Sequence, residues 1–293
     1  MGRKYSIAVG ASVKVDTSIS NRIRGLDSIR FICAFWVVIS HMGVPGIIYP
    51  DPAGGQLAKI VEVLLNNAFV GVCAVIAFFV ISGFCIHYPR AKKLAIPNVT
   101  DFFLRRYIRI LVPLIAAVVI DSFMKVNLHG MILWSLYCEL IYYTLYPMLL
   151  AIRRQRESWR LIIGVSFLLS MGVAIAYRDG GNFHSPGILF TWLLGFPSWL
   201  LGCALAEFSA DDLKNPRCNI WLYRLLVWGV SSVCSLLRFH SPVGYVWSLP
   251  WFSILVAFWI LQEIRHFRSC PAPKCLEWAG SWSYSLYLVH MLA

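Results

Sequence analysis

The chain has 293 residues, of which 59% are hydrophobic and only 14% are charged, and its mean hydropathy is +0.68. A soluble domain usually carries about a quarter charged residues, so this composition excludes an ordinary soluble protein and indicates an integral membrane protein. The net charge of +12 does not indicate a nucleic-acid partner. The basic residues lie in short runs between apolar segments, as in the cytoplasmic loops of membrane proteins, and no nucleic-acid-binding motif is visible.

Nine apolar segments follow one another along the chain, and a membrane-spanning helix needs about 20 mostly apolar residues. We predict the segments near 28–46, 66–88, 107–124, 130–150, 160–177, 186–207, 220–237, 243–262 and 281–293. The sequence therefore predicts an all-α, polytopic bundle of about nine to ten helices, built as one domain over residues 1–293. The ninth segment has only about 13 residues before Ala293, so we expect its helix to be incomplete.

Basic residues alternate between the loops and give the bundle an orientation. They recur in the N-terminal tail and in every second loop, whereas the intervening loops are sparse in charge. By the positive-inside rule the N-terminus is cytoplasmic, and residues 1–21 form a polar cytoplasmic tail.

Arg30 and His41 stand in the otherwise apolar first segment, eleven residues apart. Eleven residues are almost three helical turns, so the two side chains share one face about 16 Å apart along the axis. Ionisable groups at membrane depth are costly and usually face a bundle interior or a cavity. We therefore predict Arg30 near the cytoplasmic mouth of a cavity and His41 deeper, towards the outer leaflet.

Glu139 lies in the fourth segment, within WSLYCELIYYTLYP. The predicted topology puts it about 12–13 Å from the outer face, within roughly one turn of His41 in depth. A carboxylate at that depth can orient an imidazole or a neighbouring tyrosine. Either residue alone is as commonly a structural group that forms hydrogen bonds between helices as it is a functional one. The two residues at matched depth favour a catalytic site. Ser135, Tyr142 and Tyr143 flank Glu139 and are candidates to line a substrate cavity.

Three arginines mark the entrance to the third segment, in RRYIRILVP. Arg105, Arg106 and Arg109 are typical of a topological anchor, but guanidinium groups also match phosphate geometry, so the cluster is a candidate anion site. Ser82 and Gly83 end the second segment at the same face; Gly83 is expected to allow close helix packing.

Two further histidines and the cysteines complete the candidate residues. His290 lies in the last segment and is a candidate to face the same cavity, whereas His87, at the end of its helix, is expected to be interfacial. The nine cysteines are scattered, and Cys270 and Cys275 lack the paired spacing of a zinc site. We therefore predict no metal and no permanently bound cofactor.

Taken together, these motifs resemble the membrane acyltransferase 3 family, the multi-spanning O-acyltransferases of bacterial surface glycans. The resemblance rests on Arg30 and His41 with ten residues between them, FFVISGF in the second segment, RRYIRILVP in the third and WSLYCELIYYTLYP in the fourth. The terminal SYSLYLVH is similar to the family's last-helix motif.

The resemblance implies a multi-pass enzyme of the cell inner (cytoplasmic) membrane. It would transfer an acyl group, most often acetyl, from cytoplasmic acyl-coenzyme A (acyl-CoA) to a hydroxyl of a carbohydrate acceptor, possibly lipid-linked or polymeric, at or beyond the outer face. His41 is similar to the family's essential histidine, Arg30 to its paired arginine and Glu139 to its fourth-helix acid. Arg105, Arg106 and Arg109 match its basic motif, so that these residues, with Arg30 and Ser82, are expected to bind the donor.

An alternative reading is a proton-coupled transporter or flippase for a polar or anionic solute, embedded in membrane lipid. Buried arginine, histidine and glutamate residues in proline-broken helices are also features of such carriers. Transporters often contain two related halves with paired interrupted helices, and no such symmetry is visible in this chain.

Overall fold

The structure, a computed structural model, describes residues 23–42, 67–124, 133–155, 158–178, 181–211 and 219–290, with a few positions between 56 and 64. These residues form helices and connecting loops, with no strand among them. The helices are α1 Leu26–Met42, α2 Gly71–His87, α3 Val99–Met124, α4 Leu133–Arg154, α5 Trp159–Ala176, α6 Ile188–Asp211, α7 Ile220–His240, α8 Tyr245–Ser269, α9 Lys274–Gly280 and α10 Ser283–Val289. A 3-10 turn, Tyr88–Arg90, follows α2.

The prediction of an all-α polytopic bundle is confirmed. Within the described ranges, six helices are long and apolar enough to cross a membrane, namely α2 with its 3-10 turn, α4, α5, α6, α7 and α8. The tail at 1–21 and residues 43–55 lie outside the described residues, as do the last three positions of the chain. The single-domain assignment stays a prediction.

Large apolar side chains on the outside of the bundle fit a bilayer better than water. On α5 the exposed side chains include Leu161, Val165, Leu168 and Leu169, and on α3 they include Ile108, Val112, Ile115 and Val119. Both sets recur every three or four residues, so each helix presents a continuous apolar stripe. Stripes of this length are typical of lipid-facing helices rather than of the surface of a soluble monomer.

The core of the bundle is the close pair of α2 and α6, which make the most extensive helix–helix contact among the described elements. Two glycines allow this approach. A Cβ atom on Gly83 would lie 2.0 Å from the Trp199 carbonyl oxygen, and one on Gly202 would lie 2.0 Å from the Val80 carbonyl oxygen. Small residues at such crossings permit tight backbone packing in membranes, so the expected packing role of Gly83 is confirmed.

The end of the chain returns to its beginning and closes the site-bearing side of the bundle. The Glu277 carboxylate in α9 accepts hydrogen bonds from the Ser28 backbone N–H at 2.9 Å and from its hydroxyl at 2.6 Å. This contact satisfies one of the free N–H groups at the start of α1. A Cβ on Gly280 would meet the Asp27 carbonyl oxygen at 2.0 Å, so only glycine fits there. The turn after α9 then places α10 against both α1 and α3.

Candidate active site

A cavity lies between α1, α2, α3, α4 and α10, and it brings together residues from both ends of the chain. It encloses about 780 Å³, part of it open to solvent. Its polar and ionisable lining consists of Arg30, Ser82, Cys85, Arg106, Arg109, Ser135, Glu139, Tyr143, Ser283, Tyr284 and Tyr287. A wider opening of about 1390 Å³ shares Arg30, Arg106 and Arg109 with this cavity and adds residues at the start of α1 and the end of α2. The opening is therefore the mouth of the cavity, and it lies at the end of the bundle that is predicted to be cytoplasmic.

The three arginines at the mouth differ in their surroundings. Arg30 pairs with Asp27 at 2.8 Å and donates to the Cys85 sulfur at 3.1 Å. The Arg106 guanidinium lies 5.8 Å from the centre of the Tyr143 ring, whereas the Arg109 side chain is exposed. Arg30 is thus partly neutralised on its own helix, and Arg106 and Arg109 carry the positive charge of the mouth.

Arg105 was predicted to share an anion site with Arg109, but the structure does not bring it to this cavity. Its side chain is 78% exposed and pairs with Asp101 at 2.9 Å, four residues earlier on α3. Arg105 lies about 6 Å nearer the helix start than Arg109, because four residues advance a helix by that distance. Arg105 is therefore not among the cavity-lining residues, although Arg106 beside it is, and its own helix supplies its counter-ion.

Glu139 forms a compact polar cluster with two hydroxyl groups inside the cavity. Ser82 donates to its carboxylate at 2.6 Å, and the Tyr143 hydroxyl donates to the same oxygen. The two hydroxyls are also 3.1 Å apart. Of the two partners expected for Glu139, an imidazole or a neighbouring tyrosine, the structure therefore places the tyrosine in contact.

Of the other predicted cavity residues, Ser135 lines the cavity and Tyr142 does not. The Ser135 and Tyr287 hydroxyls are 2.7 Å apart at the inner end of the cavity. Tyr142 instead packs against α6, where it is fully buried and donates to the Trp192 carbonyl at 2.8 Å. Its ring packs edge-on against Phe79, with centroids 5.4 Å apart, so it belongs to the core of the bundle.

His41 and His290 lie beside each other, outside the residues that line the cavity. The Nδ1 atom of His41 is 3.2 Å from the Nε2 atom of His290, although 249 positions separate them in sequence. His41 is exposed, whereas His290 is 3% exposed. Tyr287 connects the pair to the cavity, because its hydroxyl contacts Ser135 while its ring centroid lies 6.1 Å from that of His290.

Sequence reasoning missed a second buried polar network and part of the cavity wall. His87, expected at the interface, is 1% exposed and lies 3.0 Å from both the Tyr146 hydroxyl and the Glu207 carboxylate. Arg153 binds the other oxygen of Glu207 at 2.6 Å, so this network joins α2, α4 and α6. Glu207 lies 120 positions from His87 in the sequence, so no local sequence pattern predicts this contact.

Tyr284 and Tyr287, which line the cavity, were also missed as site residues, although they lie within the SYSLYLVH motif quoted above. Their spacing of three residues puts both on one face of α10, a signal that the sequence does contain. Among the described residues, no group of three or more His, Cys, Asp or Glu side chains is arranged to hold a metal ion.

A polytopic helical bundle with a basic cavity mouth, an interior of carboxylate and hydroxyl groups and a histidine pair beside it defines a membrane protein with an enzyme-like site. A comparison with protein families identifies the class. The acyltransferase domain of the acyltransferase 3 family matches residues 23–126 and 127–293, so the chain belongs to this family. It is a multi-pass membrane acyltransferase.

A curated relative agrees with this assignment. The chain is 24% identical over 320 residues to acyltransferase MdmB from Streptomyces mycarofaciens, an alignment that covers 92% of this chain and 79% of that protein. No solved structure matches the chain. The acyltransferase assignment, rather than the transporter alternative, is the one that the comparisons support.

Proposed function

We propose that this membrane acyltransferase moves an acyl group, most simply acetyl, from cytoplasmic acyl-CoA to a hydroxyl of a carbohydrate acceptor at the outer face of the inner membrane. The observation that best supports the proposal is the shape and charge of the cavity. Its mouth carries arginines, its interior carries Glu139 with two hydroxyl groups, and its inner end reaches Tyr287, next to the pair of His41 and His290.

The donor would bind with its phosphates at the mouth. Arg106 and Arg109 offer guanidinium groups, which form bidentate hydrogen bonds with phosphate oxygens. Arg30, already paired with Asp27, would contribute less charge but fix the position of α1 beside the donor. The narrow pantetheine arm would extend past Ser82 and Tyr143 towards Ser135, leaving the thioester near Tyr287.

His41 would act as the general base. Its imidazole would remove the proton from the acceptor hydroxyl while the acceptor oxygen attacks the thioester carbonyl. The carbon–sulfur bond would break, and the departing coenzyme A thiolate would receive the proton back from His41. General-base assistance is typically worth about 10²–10⁴-fold in rate. The acceptor would approach from the exposed side of His41. A route through an acyl-enzyme is the alternative to direct transfer.

The acceptor is proposed to be a lipid-linked or polymeric carbohydrate, since an exposed His41 at the outer end of α1 can receive a hydroxyl too large to enter the cavity. Comparing surface glycans from cells with and without the gene by NMR and mass spectrometry tests this class. Loss of an acyl ester from a glycan supports the proposal. An unchanged set of glycan esters, together with acyl transfer to a different acceptor, would refute the carbohydrate assignment.

The purified full chain in nanodiscs, supplied with radiolabelled acetyl-CoA and a surface-glycan extract as acceptor, tests the reaction. We expect His41→Ala to lose transfer by at least the 10²-fold that a general base contributes, while the protein remains folded. His240→Ala is a matched control, because His240 is an exposed histidine at the end of α7, away from the cavity lining. If His41→Ala kept full activity, the general-base role would be wrong. If the wild-type chain neither bound nor hydrolysed acetyl-CoA, the donor assignment would be wrong.

A further inference from the structure

The hydrogen bonds around the two histidines determine which nitrogen atoms carry protons. His290 Nδ1 lies 2.7 Å from the Tyr287 carbonyl oxygen, and His41 Nδ1 lies 3.0 Å from the Val37 carbonyl oxygen. A carbonyl oxygen can only accept a hydrogen bond, so each of these Nδ1 atoms must carry a proton. The remaining contact joins His41 Nδ1 to His290 Nε2 at 3.2 Å. Since the proton there belongs to His41, the His290 Nε2 atom must be the unprotonated acceptor.

From this arrangement we infer that His290 is a positioning residue that, together with the Val37 carbonyl, holds His41 in the Nδ1–H tautomer and thereby presents the Nε2 lone pair of His41 as the reacting base. The inference rests on the proposed general-base role of His41 and adds to it the identity of the basic atom and of its partner. Which ring nitrogen is protonated in a histidine is set by the hydrogen bond that the other nitrogen makes. In this pair a neutral imidazole takes the place that a carboxylate holds in many catalytic histidine pairs.

The surroundings of His290 suit this role. It is almost fully buried, and its own ring is fixed by the carbonyl of Tyr287 on the preceding turn of α10. The His41 ring lies at the end of α1 next to Gly71, where a Cβ atom would come within 3.8 Å of its Cε1 atom. His290 contacts the His41 ring on its Nδ1 side, and the glycine at position 71 leaves space beside the Cε1 atom. The Nε2 atom of His41 has no hydrogen-bond partner among the described residues and is available to the acceptor hydroxyl. When Nε2 takes the proton of that hydroxyl, the lone pair of His290 stabilises the resulting imidazolium through the same hydrogen bond.

Two substitutions of His290 separate a positioning role from simple packing. His290→Leu fills similar space without an acceptor, whereas His290→Gln places an amide oxygen near the former Nε2 position. We expect His290→Leu to lower kcat by about 10–100-fold, the range found when the hydrogen-bonding partner of a metal-bound histidine is removed, with the KM for acetyl-CoA unchanged. His290→Gln should recover most of the lost kcat. Equal losses in the two variants, or a loss confined to KM, would overturn the positioning role.

Nitrogen-15 NMR of histidine-labelled wild-type protein tests the tautomer directly. Single substitutions assign the signals of the seven histidines in the chain. We expect His41 to be protonated at Nδ1 and unprotonated at Nε2, with His290 unprotonated at Nε2. A proton on Nε2 of His41 would overturn the inference. The two hypotheses fail separately: activity retained in His41→Ala refutes the general-base role, whereas an inactive His41→Ala with a fully active His290→Leu refutes only the pairing.

Discussion

Replacing Arg109 by alanine tests whether the basic mouth of the cavity binds the phosphates of the donor. Arg109 lines both the mouth and the inner cavity, and its side chain is exposed to an incoming anion. It has no ion-pair partner among the described residues, whereas Arg30 is already paired with Asp27. The loss of Arg109 therefore removes a cation available to a ligand and leaves the contacts between helices in place.

The size of the effect follows from the exposure of the mouth. A hydrogen bond to a charged group is worth about 1.5–3 kcal/mol, and solvent screening at an exposed site reduces it to about 1–2 kcal/mol. The Kd for coenzyme A should then rise by about 5–30-fold, as measured by isothermal titration in nanodiscs. Arg105→Ala is the matched control, because Arg105 lies on the same helix, has the same side chain and pairs with Asp101 outside the cavity. We expect it to leave the Kd nearly unchanged.

Truncated ligands make the test specific for phosphate. Pantetheine has the thiol-bearing arm of coenzyme A but no phosphate, so its Kd should be the same for wild type and Arg109→Ala. The difference between the variants for coenzyme A should also shrink in 1 M salt, where the screening length falls to about 3 Å. If Arg109→Ala weakened pantetheine as much as coenzyme A, or if Arg105→Ala matched Arg109→Ala, the reasoning about the mouth would be refuted.

Two further predictions concern stability. Gly83→Ala should lower the Tm in detergent, since its Cβ would lie 2.0 Å from the Trp199 carbonyl oxygen and overpacking costs about 1–3 kcal/mol. Gly172→Ala is the control and should leave the Tm unchanged, because its Cβ would meet no atom within 4 Å. An unchanged Tm for Gly83→Ala would contradict the close contact of α2 and α6. Glu263→Ala should also lower the Tm, because Glu263 is 1% exposed and accepts two hydrogen bonds from Arg224, of 2.7 and 2.9 Å. Breaking a buried ion pair costs up to about 3–5 kcal/mol. The cost is smaller for this pair, because Arg224 is partly exposed. A loss of stability in the Arg224→Ala, Glu263→Ala double variant equal to the sum of the two single losses would show that the pair contributes no coupling.

Hydrophobicity predicted where helices occur but not where they end. The third segment, predicted at 107–124, is a helix over Val99–Met124, and the eighth, predicted at 243–262, continues to Ser269. Both helices extend beyond the apolar core through polar turns, which an apolar window cannot detect. The short helix α9 was missed for the same reason, because its seven residues KCLEWAG contain no apolar run and their structure depends on packing against α1.

The sequence also predicted several residues of the candidate site. These predictions succeeded where residues spaced three or four positions apart lie on one face of a helix. Arg106 and Arg109, three positions apart, both line the cavity, as do Ser135 and Glu139, four positions apart. Depth along a helix is less informative about contacts. Equal depth predicted that Glu139 orients either the imidazole of His41 or a neighbouring tyrosine. Glu139 binds Tyr143 and Ser82, and not His41. Rotation about the helix axis, which depth does not specify, decides which neighbour a side chain meets.

The pairing of His41 with His290 shows why the complete site cannot be predicted from local sequence patterns. Its two members lie 249 positions apart, and their contact depends on α9, where Glu277 binds the first turn of α1 and Gly280 lets the backbones meet. The same contact brings α10 to the wall of the cavity. The mouth, the cavity and the histidine pair therefore share one structural requirement, which is that the last two helices dock on the first. Gly280 also lines the mouth, and Gly280→Val should consequently reduce donor binding and acyl transfer together, because its side chain would push α9 away from the Asp27 carbonyl.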